Sequence, residues 1–117
     1  MFRILILPSL AIISAIGSAA FAQPGPKLYE EMSARLEERQ IIAEPIGGIQ
    51  NSFWFDYRIN VNEAGKELTS DLRHASDTED LRDAWEEYHT ELAHERRHYV
   101  DEMAERGYRY SAVFVGE

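Results

Sequence analysis

The sequence predicts a small α+β domain, and three stretches carry that expectation. Residues 76–106 repeat their apolar side chains at helical spacing, while residues 53–61 and 108–115 alternate apolar and polar side chains as half-buried strands do. The expected architecture is one long C-terminal helix packed on a two-stranded antiparallel sheet, with an additional N-terminal helix. Two strands make a thin platform. Either the helices supply most of the core or a second copy completes it, so a homodimer is among the expected partners.

The chain opens with Met1-Phe2-Arg3, an apolar run over residues 4–16, and Ala20-Phe21-Ala22 before Gln23. A basic start, a short apolar stretch and an A-x-A pattern are the marks of a secretory signal peptide over residues 1–22. The run is too short for a stable membrane span. The mature part, residues 23–117, is expected to be a single small domain, secreted and, in a Gram-negative cell, periplasmic. The chain has no cysteine, so neither a disulfide nor a cysteine-linked lipid is available to it. Its formal net charge is −9, and loss of Arg3 with the leader makes the remainder one unit more acidic. Such a charge repels nucleic acid and anionic lipid, and favours cationic, apolar or metal-ion partners.

Pro24-Gly25-Pro26 leads into the first expected helix, with Pro26 suited to a helix start. Leu28, Tyr29, Met32, Leu36 and Ile41 or Ile42 form its expected inner stripe, and Glu30, Glu31, Arg35, Glu37, Glu38 and Arg39 its wet face. Glu44-Pro45-Ile46-Gly47-Gly48 ends it in a loop. In the strand over residues 53–61, Phe53, Phe55, Tyr57, Ile59 and Val61 point one way. Trp54, Asp56, Arg58 and Asn60 point the other, which makes Trp54 a candidate binding residue. Asn62-Glu63-Ala64-Gly65 reads as a turn, and residues 66–74 as a short helix with Leu68 and Leu72 inward.

The long helix begins at a capping box, Ser76-Asp77-Thr78-Glu79. Leu81, Trp85, Tyr88, Leu92, Tyr99 and Met103 make its buried stripe, and Gly107 is a natural stop. On its flank stands His94-Glu95-Arg96-Arg97-His98. Histidines at i and i+4 project from one side of a helix, about 6 Å apart along the axis, and can share a metal ion. Zinc takes imidazole nitrogen readily, and a neighbouring glutamate can accept the proton of a zinc-bound water. A catalytic zinc needs a third protein ligand. Glu102 and Glu91 lie too far along a straight helix, which leaves His74, Glu117 or another chain. The Glu-x-x-His spacing of di-iron bundles also occurs here, at Glu91 to His94 and Glu95 to His98. Those bundles need several long helices with matching carboxylates.

The run Trp85-x-x-Tyr88-x-x-x-Leu92 with His94-Glu95-x-x-His98 resembles the active-site helix of a bacterial family described as predicted secreted zinc-dependent proteases. The resemblance spans residues 81–104. It implies zinc held by His94 and His98, Glu95 as the base, and a peptide or protein substrate. Arg96 and Arg97 depart from the uncharged pair usual in such helices. The expected function is therefore a secreted, metallopeptidase-like zinc hydrolase. The alternative is a non-catalytic periplasmic binding or structural protein, whose histidines sit on a solvated helix face and whose contacts are Trp54 and the acidic band of Glu91, Glu102 and Glu105.

Overall fold

The computed structural model describes residues 28–111. They form three helices: α1, Tyr29–Glu38; α2, Ser52–His74; and α3, Thr78–Glu105, with a short 3-10 turn at Ile46–Gly48 between the first two. Among the described residues there is no strand, so the α+β expectation is overturned and the domain is all-helical. α1 and α2 both pack on α3 and make almost no contact with each other, so α3 is the spine. No helix among the described residues is long and apolar enough to cross a membrane.

The first expected strand lies wholly inside α2. Its alternation coexists with a helical pattern that extends further. Trp54, Tyr57, Ala64 and Leu68 are buried, with Val61 and Leu72 partly so, at steps of three, four, three, four and four. Asn51 caps this helix, its side-chain oxygen accepting the Trp54 amide at 3.1 Å. Aromatic and β-branched residues lose only a few tenths of a kcal/mol each in a helix. Burying Trp54 and Tyr57 outweighs that loss, at about 1.5–3 kcal/mol for a large apolar side chain. Gly65, expected in a turn, sits inside the helix at a cost of about 1 kcal/mol relative to Ala. The second expected strand also fails where it can be seen, because residues 108–111 are irregular. Its remainder, residues 112–115, and the expected signal peptide lie outside the described residues.

The long helix is as expected in extent, and its expected buried stripe holds except at Leu81, which is only partly buried. Trp85, Tyr88, Leu92, Tyr99 and Met103 are buried, together with Ala84 and Ala93. The cap moves one residue along: Asp77 accepts the Asp80 amide at 2.8 Å. The Asp80 carboxylate in turn accepts from the Ser76 amide and hydroxyl, each at 3.0 Å. Those two bonds hold the Asp80 carboxyl below its ordinary range. Gly107 ends α3 with a φ of 92°, and the Tyr108 amide closes on the Met103 carbonyl at 2.9 Å.

The core forms in two lobes along α3. The first joins Ala34 of α1 with Ala64 and Leu68 of α2 over Ala84, Trp85, Tyr88 and Leu92. The second joins Trp54 and Tyr57 with Ile42 and Ile46 over Tyr99 and Met103. There Tyr57 and Tyr99 stack at 4.9 Å, and their hydroxyls accept the amides of Ile42 and Ile46, both at 2.9 Å. The connection between α1 and α2 thus hangs from two phenols. Burial pushes both phenols above the ordinary tyrosine value. At Gly47, with a φ of 65°, a Cβ would stand 3.0 Å from the Tyr108 ring, so any other residue there is strained in its backbone and crowded against that ring.

The orientation of α1 departs from expectation in the middle of its stripe, although Leu28 and Ile41 pack against the core and Ile42 is buried as expected. Tyr29, Met32 and Leu36, expected inside, are 77%, 52% and 57% exposed. Ala34 and Glu37 are buried instead, and Glu30 and Glu38 turn toward α3. Arg96 meets Glu37 at 2.7 Å, with His89 at 4.0 Å from the other carboxylate oxygen. Tyr88 donates to Glu38 at 2.6 Å, and Arg82 stands 3.9 Å from Glu30. Arg35 binds Glu38 at 2.9 Å and lies over the Trp85 ring at 4.6 Å. α3 presents arginine and phenol where α1 needs partners, and a helix with four glutamates turns its acids to them.

Candidate functional site

The His94-to-His98 pentapeptide lies on α3 and runs directly into the aromatic lobe at Tyr99. A single turn of helix presents its side chains to three different surroundings. His94 and His98 are exposed, with imidazole planes nearly parallel at 11° and ring centroids 6.4 Å apart. Both rings are on one face, as the i, i+4 spacing dictates, and both have open water on their outer side. Rotation about the side-chain bonds can bring one nitrogen of each to a common ion.

Glu95 does not share that opening. It is half-buried, and its carboxylate accepts from the Asn60 amide group of α2 at 2.9 Å. Asn60 is one turn beyond Tyr57, so the bond crosses the α2–α3 seam beside the core. Glu95 thus ties two helices together. Arg96 points to the opposite seam and pairs with Glu37 of α1. The cation that looked out of place beside a zinc site is the partner of a buried carboxylate. Arg97 is exposed.

The expected third ligands are not brought to the histidines. His74 ends α2, with its Nδ1 2.8 Å from the Ser70 carbonyl. It lines an open hollow of about 270 Å³ with Asp71, Ala75, Asp80, Asp83, Ala84 and Glu87. His94 is ten residues beyond Ala84, about 15 Å along the axis, which removes His74 as a ligand to the same ion. Glu117 lies outside the described residues. Among the described residues no three His, Cys, Asp or Glu side chains converge as a metal site requires.

Trp54 is not on an open face. It is 4% exposed, 5.8 Å from Tyr99 and 6.2 Å from Tyr57 between ring centroids. Its ring does contribute one wall of a groove of about 170 Å³ between α2 and residues 41–43. Arg58 lies over that ring at 5.6 Å.

Two features escaped the sequence reading. The buried Glu37 was assigned to the wet face because it is a glutamate; its position three residues after Ala34 was the available signal. The outward apolar face of α1 was hidden by the general rule that apolar stripes face the core. No family model, no curated protein and no solved structure matches this chain.

Proposed function

We propose that the protein is a non-catalytic helical binding protein, exported by its N-terminal leader, that pairs with a second copy through the outward face of α1. One observation carries this reading: α1 turns Tyr29, Met32 and Leu36 to solvent and its carboxylates to α3. Their i, i+3, i+7 spacing makes a straight apolar stripe on a ten-residue helix. An antiparallel copy of the same stripe sets Tyr29 against the partner's Leu36 with Met32 near the two-fold axis, so the face is self-complementary. Glu30, Glu37 and Glu38 point to the other side of the helix. Two acidic chains can therefore approach along this face without setting carboxylate against carboxylate.

Sedimentation equilibrium of the protein, beside Met32→Glu and Leu36→Glu, tests the reading. A wild-type dimer at micromolar concentration and monomeric, equally helical variants are the expected result. A wild-type monomer at that concentration overturns it. Export is supported by the basic, apolar and A-x-A succession of residues 1–22, and the mass of the secreted chain should place its first residue at Gln23.

A second reading is favoured by the parallel imidazoles of His94 and His98: this pair takes a divalent transition-metal ion such as zinc, with water completing the shell. Hydrolysis would further need a third protein ligand, from Glu117 or a second chain, and release of Glu95 from Asn60. Calorimetry with zinc at neutral pH should show one-to-one binding that His94→Ala/His98→Ala abolishes. Equal heats from both proteins would remove the reading. If turnover accompanies binding, Glu95→Gln keeps the affinity and loses the rate.

A further inference from the structure

We infer that the groove between α2 and residues 41–43 is a binding site for a small carboxylate with an apolar body. Its lining divides into two chemistries. Ile41, Ala43, Trp54 and Val61 supply an apolar wall, backed by Tyr57. Arg58 and Asn62 stand one turn apart on α2, at the open rim. A ligand that fills the groove with hydrocarbon therefore presents its outer end to a guanidinium and a carboxamide.

Charge selects the outer end. The chain carries 21 acidic and 12 basic side chains, so carboxylates are abundant. Yet among the described residues Arg58 makes no ion pair and no hydrogen bond. Its contact is with the Trp54 ring, over which the guanidinium lies at 5.6 Å in the lining of the groove. A guanidinium binds a carboxylate through two parallel N–H bonds. Asn62 adds an amide donor on the same side. In a protein this acidic, an anion is otherwise repelled, and only a local cation over an apolar surface can admit one.

Size selects the body. The groove's 170 Å³ corresponds to about six waters at about 30 Å³ each. That is the scale of one aromatic ring or a short alkyl chain, as in phenylacetate or hexanoate. A long-chain lipid or a folded peptide exceeds it.

Titration of the protein with phenylacetate, read by amide NMR shifts, tests the assignment. Phenylacetamide and phenethylamine serve as neutral and cationic controls, with Arg58→Gln and Arg58→Lys alongside. Arg58 is exposed and touches the aromatic lobe only through the Trp54 ring, so unchanged helicity of each variant is the check that the fold is kept. Shifts should centre on residues 41–43 and 58–62, saturate at millimolar phenylacetate, and weaken at least tenfold with either control and in Arg58→Gln. Arg58→Lys should fall between. Equal affinity for phenylacetamide, unchanged affinity in Arg58→Gln, or shifts scattered over the surface would overturn the assignment, as would no shift at all.

Discussion

Against α3, α2 lays down Trp54, Tyr57, Ala64 and Leu68, while α1 lays down Ala34, Glu37 and the carboxylates of Glu30 and Glu38. Both helices dock on the same spine, one by removing apolar surface from water and the other by pairing charge. The difference follows from what each must do with its remaining face. α2 spends its aromatics inward and leaves Phe55 and Ile59 as its large apolar side chains in the open. α1 keeps its three largest apolar residues for the outside, so beyond Ala34 its attachment is left to arginine, histidine and tyrosine. A helix held by ion pairs has its apolar face available for a partner.

The comparison breaks most sharply at the aromatic lobe. Trp54→Ala should cost about 3–5 kcal/mol in denaturant unfolding, as large-to-small core substitutions do. A loss below about 1 kcal/mol would mean that α2 is not held by burial. Next is the ionic seam. Glu37→Ala leaves Arg96 half-buried without its partner and should cost about 3 kcal/mol. Unlike the Trp54 loss, it should shrink when Arg96 is also replaced, because removing the second charge removes the unpaired one. If Glu37→Ala and Arg96→Ala add without coupling in a double-mutant cycle, α1 does not hang from that pair.

A smaller effect sharpens the account of the α1–α2 connection. Tyr99→Phe removes the acceptor for the Ile46 amide and should cost about 1–2 kcal/mol, while the ring stacking remains. The smallest effect is in pH. Burial raises the Tyr57 and Tyr99 phenols above 10.0, and burial with the Glu38 bond raises Tyr88 well above it. Stability contributed by a group whose value is raised in the fold is complete below the unfolded value and is lost as pH climbs through the folded one. Stability should therefore fall only above about pH 10 on this account. Absorbance of tyrosinate should show a fraction that ionises together with unfolding. If all tyrosines ionise before helicity is lost, the three phenols are not held as described.

How much of this was legible depends on which residues bear the signal. α3 reads directly, because its stripe from Trp85 to Met103 follows one period, and a cap and a glycine bracket it. α2 misreads because Phe53, Phe55, Tyr57, Ile59 and Val61 satisfy a period of two over nine residues. The competing helical set, Trp54, Tyr57, Val61, Ala64, Leu68 and Leu72, emerges only when the window runs past Gly65. α1 is correct as a helix but turns Tyr29, Met32 and Leu36 outward, since only the positions of Arg82, Arg96 and Tyr88 on another helix explain why glutamates face inward. The two histidines were found by spacing. The ties of Glu95 to Asn60 and of Arg96 to Glu37 join residues 35 and 59 apart, beyond the reach of local pattern.

Within five consecutive letters, Glu95 answers to α2, Arg96 to α1, and His94 and His98 to solvent. Under selection for folding alone, the first two would be retained and both histidines would be free to drift. Sequences of close descendants of this chain would then divide into two kinds. In those that only fold, the pentapeptide would erode to a lone Glu-Arg pair. Persistence of both imidazoles over the same descent would record a pressure that packing does not supply.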